Sequence, residues 1–106
     1  MKQWDIWKGK PVGFEREHWF VILSGPERLN SPHEHEANGL ACFSLRGEAR
    51  STEVRLNSAE GFAGATVCQC DMIYVLQKSK LHDRIGDVMW ERQQQIKAKL
   101  KAVFRL

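Results

Sequence analysis

The sequence has no long hydrophobic run: the longest, Trp19 to Leu23, is five residues, too short to cross a bilayer. Met1 is followed by Lys-Gln-Trp-Asp, without the apolar stretch of a secretion signal, so the expected location is the cytoplasm and no membrane partner is expected. Cysteine is scarce. Cys42, Cys68 and Cys70 are three in number and lack Cys-x-x-Cys spacing, which argues against a disulfide framework and against structural zinc. They read as reduced, buried apolar side chains. No Gly-rich phosphate loop, no His-Glu-x-x-His motif, no Ser-His-Asp ordering and no internal repeat occurs, so the signatures of common nucleotide-binding and hydrolytic sites are absent.

What is there suits one domain spanning residues 1–106, with 42% hydrophobic and 27% charged residues. The formal charge of +3 is unevenly placed. Residues 1–75 carry 8 Lys and Arg against 10 Asp and Glu, whereas residues 76–106 carry 8 against 3. The basic surplus of the last third is either a surface for a polyanion or a solvated helix.

Local patterning predicts strands first and a helix last. Gln3–Lys8 alternates, with Trp4 and Ile6 on one face. His18–Ser24 is a short β-rich apolar run, expected to be a central strand buried on both faces. Gly25-Pro26 ends it, and Glu27–Ala37 reads as a polar loop. Gly39–Leu45 and Ser51–Leu56 are further strands, and Ala65–Leu76 is one bent strand or two short ones around Asp71. From Val88 the apolar residues Ile96, Leu100 and Val103 follow helical spacing, with Asp87 as the expected N-cap. Five or six strands and a terminal helix suggest a small curled sheet or barrel.

Several clusters have chemical potential. In Pro32-His33-Glu34-His35-Glu36 the two imidazoles share a face of an extended segment, but a third ligand, Cys42 or Glu36, would have to fold towards them. A solvated loop is the expectation there, and no metal is expected. Arg16 and His18 are spaced to sit side by side, a phosphate-binding guanidinium next to a group that exchanges protons near neutral pH. Ser44 and Arg46 repeat that pairing with a hydroxyl. Trp4, Trp7, Trp19 and Trp90 could stack on bases, although at least two belong in a core this small.

Taken in order, five segments resemble the MazF/PemK-type toxins, the endoribonucleases of toxin–antitoxin pairs. These are WDIWK at Trp4–Lys8, HWFVILSGPERLN from His18, NGLACFSLR at Asn38–Arg46, VCQCDMIYVL at Val67–Leu76 and GDVMWERQQQIKAKL from Gly86. The resemblance implies a mainly β fold with α: an SH3-like small β-barrel of the CcdB/PemK kind with a C-terminal helix. It also implies a homodimer, a small antitoxin that blocks the substrate groove, and cleavage of single-stranded RNA without a metal or other cofactor. The family's catalytic Arg falls on His18 and its catalytic Thr on Ser44. Its loop Glu is matched only loosely, to Glu15 or Glu17. On this resemblance His18 moves the proton, Arg16 and Arg46 hold phosphate, and Ser44 orients it. Lys78 and Lys80 are expected on the RNA-facing rim, and Lys97 to Arg105 are helix-end cations. Loss of the family Arg keeps two rival readings open: a CcdB-like toxin that binds gyrase without enzymatic activity, and an inactive barrel that binds RNA or protein.

Overall fold

A computed structural model describes all 106 residues. The strands are β1 (Asp5–Gly9), β2 (His18–Ile22), β3 (Glu36–Ser44), β4 (Glu53–Leu56), β5 (Thr66–Gln69), β6 (Tyr74–Gln77) and β7 (His82–Asp87). Helix α1 is Pro26–Asn30, helix α2 is Trp90–Phe104, and short 3₁₀ turns occupy Ser58–Glu60 and Lys78–Lys80. All seven strands join one antiparallel sheet in the order β4-β5-β3-β2-β1-β7, with β6 also paired to β3. The mainly β architecture and terminal helix agree with the expectation. The strand ladder is curled but not closed, because β4 and β7 do not pair.

The nine-residue β3 is the spine. Its first half pairs with β6 and its second half with β5, so the segment from Thr66 to Gln77 is two short strands broken at Cys70–Ile73. Alternation along β2 and β3 divides the core between the two faces of the sheet. Val21, Leu40 and Cys42 join Ile6, Val54, Leu56, Cys68 and Ile96 on the face covered by α2. Phe20, Ile22 and Ala41 join Leu76 on the other, covered by Phe14, Leu29 and Tyr74. Burial on both faces is why the β2 run is continuously apolar instead of alternating.

Where the ladder is open, two glycines bring the first 3₁₀ turn against β7. A Cβ on Gly86 would stand 2.2 Å from the Glu60 carbonyl oxygen, and one on Gly61 would stand 2.3 Å from that of Ile85. Gly61 also has φ of 103°, a left-handed conformation that disfavours a side chain. The buried Glu60 carboxylate accepts from the backbone N–H of Asn57 at 2.9 Å and of Met89 at 3.3 Å, tying this turn to the start of α2.

Three sequence expectations need correction. Residues 27–37 are not all loop: Pro26 at the first helical position starts α1, and β3 begins at Glu36. Asp87 ends β7 instead of capping α2, whose N-cap is Met89. No side chain caps α2; the Gln93 side-chain N–H donates to the Val88 carbonyl at 2.9 Å and ties the first turn to the chain before it. Strand β7 itself carries little hydrophobic patterning, and the sequence pattern predicts no strand there.

Candidate active site

Four of the residues singled out from the sequence, Arg16, His18, Ser44 and Arg46, line one open cleft of about 580 Å³. Glu17 and Thr66 line it with them, and the Phe62–Ala65 segment forms a wall. The cleft lies where β2 begins and β3 ends. Phe43 shares the aromatic face with Phe20, whereas Ser44 is the register partner of Thr66 on β5, so lining residues come from both sides of the sheet end.

Each group is positioned by its surroundings. The His18 ring is half-buried between Phe14 and Phe43, with centroids 5.3 and 5.0 Å away, in edge and tilted arrangements that fix the imidazole plane. Arg16 is in the bend before β2, not in a strand, so the side-by-side spacing read from the sequence is not what brings it to the cleft. Arg16 and Arg46 are exposed and make no ion pair with any carboxylate of the chain, which leaves both guanidiniums available to an anion. The Ser44 hydroxyl is exposed and spends no hydrogen bond on the protein. Thr66 differs, donating its hydroxyl to the Gly64 carbonyl at 3.0 Å.

The cleft does not end at Ser44. A second depression of about 310 Å³ shares Phe43, Ser44 and Arg46 and continues to Arg50 and Gln69. Ser44 and Arg46 therefore stand between two adjoining hollows, an arrangement that suits an extended chain better than a small enclosed ligand. Nothing in the local sequence around Arg46 announces the second hollow, because β4 and β5 form its other side.

The remaining expected site residues lie elsewhere. The Lys78 ammonium donates to the carbonyl of Arg28, to that of Leu29 at 3.4 Å and to that of Ser31 at 3.3 Å, satisfying the C-terminal end of α1. Lys80 lines a separate cavity of about 370 Å³ beside Tyr74. Neither lines the cleft. His33 and His35 are exposed, and no group of three or more His, Cys, Asp or Glu side chains is arranged to hold a metal ion. Trp90 is exposed, whereas Trp4, Trp7 and Trp19 pack against the core.

A residue that local sequence reading did not connect to the site is His82. Its Nε2 pairs with Glu17 Oε2 at the cleft, and its Nδ1 lies 2.8 Å from Asp83 Oδ2. The hydrogen bond donated to Glu17, then that to Asp83, holds the imidazole pKa above its ordinary 6.5.

Alignment of the sequence with models of known protein families gives no match, and alignment with curated proteins gives none. A mycobacterial endoribonuclease in complex with its cognate antitoxin superposes with a TM-score of 0.84 at 19% identity, over 100% of this chain and 96% of that one. The Mycobacterium tuberculosis toxin MazF-mt6 gives 0.81 at 18%, over 96% and 97%. A MazE-MazF complex from Deinococcus radiodurans gives 0.75 at 16%, over 99% and 95%. The architecture is that of an antiparallel sheet with a terminal helix shared by toxin proteins. More particularly, the chain has the MazF-like fold.

Proposed function

We propose that this protein is the toxin of a toxin–antitoxin pair, an endoribonuclease that cleaves single-stranded RNA at the cleft between β2 and β3. The observation carrying this reading is the convergence of an imidazole, a free hydroxyl and two unpaired guanidiniums on a hollow that continues past Ser44. RNA is an extended polyanion, and such a groove accommodates its backbone on both sides of the scissile phosphate.

In this reading the ribose 2′-oxygen attacks the adjacent phosphorus, the bond to the 5′-oxygen breaks, and a 2′,3′-cyclic phosphate and a free 5′-hydroxyl result. His18 accepts the proton of the 2′-hydroxyl, and the departing oxygen takes its proton from water or from protonated His18. Arg16 and Arg46 bind the non-bridging oxygens as negative charge builds on them, and the Ser44 hydroxyl donates to one of them. The assigned steps use side chains and water, with no cofactor. A homodimer and a small antitoxin covering the groove complete the proposal; location in the cytoplasm fits it.

The test is incubation of the purified protein with mixed-sequence single-stranded RNA in excess chelator, followed by analysis of the fragment ends. Cyclic-phosphate ends are expected. His18→Ala should slow cleavage by about 10²–10⁴-fold, the range for loss of a proton-transfer group. A His18→Ala variant as fast as the parent would remove His18 from the mechanism. His18 stands where the family has an Arg, which favours one second reading, a gyrase-binding toxin. Absence of cleavage together with inhibition of gyrase supercoiling would select it.

A further inference from the structure

Strand β7 does not line the cleft, but it is distorted beside Glu17, which does. Its register with β1 runs from Ile6↔Gly86 to Lys8↔His82, so two steps along β1 correspond to four along β7. The extra residues form a bulge, and bulges re-aim the side chains beside them. Asp83 sits in this bulge with φ of 54°, a left-handed conformation that Asp adopts more readily than most side-chain-bearing residues. Arg84 leaves it in the other direction, donating to the buried Asp5 carboxylate at 3.0 Å. The distortion turns His82 towards the loop between β1 and β2, where one ring nitrogen meets Glu17 and the other faces Asp83. Glu17 stands between Arg16 and His18 in the chain, and all three line the cleft.

We propose that His82 is a positioning residue: its imidazolium, braced by Asp83, pins Glu17 and so holds the bend that presents Arg16 and leads into His18. Backbone distortion of this kind persists only where surrounding structure over-determines it, and here it supports a contact between elements 65 residues apart. The charged groups facing His82 are the carboxylates of Glu17 and Asp83 and, across on β1, Lys8, whose ammonium lies 5.2 Å from the Trp19 ring centroid. The two carboxylates favour the protonated ring. The pin is complete below the ordinary His value of 6.5 and is lost as pH rises through the raised value. With Glu17 ionised, the cleft is thus assembled near neutral pH and loosened by alkali.

The pin itself rests on geometry; its effect on catalysis rests on the ribonuclease reading, and two measurements keep them apart. An NMR titration of the imidazole carbons follows His82 directly, in the wild type and in Glu17→Gln. Its midpoint should lie above 6.5 in the wild type and fall in the variant. An unchanged midpoint overturns the pin. The pH profile of RNA cleavage is then compared for wild type, His82→Gln and His82→Arg. His82→Gln should lose several-fold in rate at pH 6 and converge on the wild type in alkali, whereas the permanently charged His82→Arg should extend activity to higher pH. If all three profiles coincide, His82 does not position the site. If the wild type cuts no RNA, the ribonuclease reading fails separately, and the titration alone decides the pin.

Discussion

Asp5 and His82 show how opposite environments set the charge of single residues. Burial pushes the Asp5 carboxyl up, but hydrogen bonds from the Lys2 backbone N–H, Arg84 and the Trp7 indole outweigh burial and hold it below the usual carboxylate value. A depressed value means that the stabilisation is present above about pH 3.8 and disappears as pH falls through the folded-state value. Asp5→Asn should therefore melt lower than the wild type at pH 6, and the two melting temperatures should draw together below pH 3.8. A gap that persists undiminished in acid would mean that Asp5 acts through packing and not through its charge. At this scale the sequence was partly legible. His18, Ser44 and Arg46 stand out because they mark the ends of apolar strands, where polar groups must face solvent. The Glu17–His82 contact was hidden, since nothing local to either residue reports a partner so far along the chain. Lys78 misled for a related reason. Its charge is visible in the sequence, but the α1 carbonyls that take up its ammonium are not.

Among the elements, α2 and β7 mark the limits of pattern reading. Helical spacing of Ile96 and Leu100 gave the body of α2, while its start depends on the Glu60 carboxylate, brought from the far side of β4. Strand β7, HDRIGD, is mostly exposed and bulged, so it lacks the two-residue alternation by which strands are recognised. The junction of β7 with the first 3₁₀ turn is also where the structure tolerates least. A methyl group on Gly86 would meet backbone, which cannot rotate away as a side chain can. Gly86→Ala should cost about 1–3 kcal/mol or more in urea denaturation, in the range of overpacked interiors. Gly64→Ala, with nothing within 4 Å of the added carbon, should stay within about 0.5 kcal/mol of wild type. Equal effects at both positions would mean that the close approach is not what stabilises the junction.

Across the whole molecule, the modest charge of +3 divides into cations with different work. Lys78 completes the end of α1, Lys97 lies 5.9 Å from the Trp4 ring centroid, and Arg16 and Arg46 are left free at the cleft. Counting basic residues along the chain pointed to its C-terminal third, yet the cleft draws its two arginines from the acidic first two thirds. If RNA binds there, replacing Arg16 or Arg46 with Gln should each flatten the logarithmic salt dependence of single-strand affinity by about 0.7. Lys97→Gln and Lys99→Gln should leave it unchanged, and a slope that responds only to these would move the interface to α2. The same global arrangement buries all three thiols, Cys42 beneath the floor of the cleft and Cys68 and Cys70 deeper. Cys42 and Cys68 stand opposite each other in adjacent strands, Cys70 lies just beyond, and all are free and buried. An alkylating reagent therefore gains full access to them only when the central strands separate. The chain thus contains a native reporter of its own opening, one that counts excursions of the β3–β5 ladder by mass increments without an engineered label.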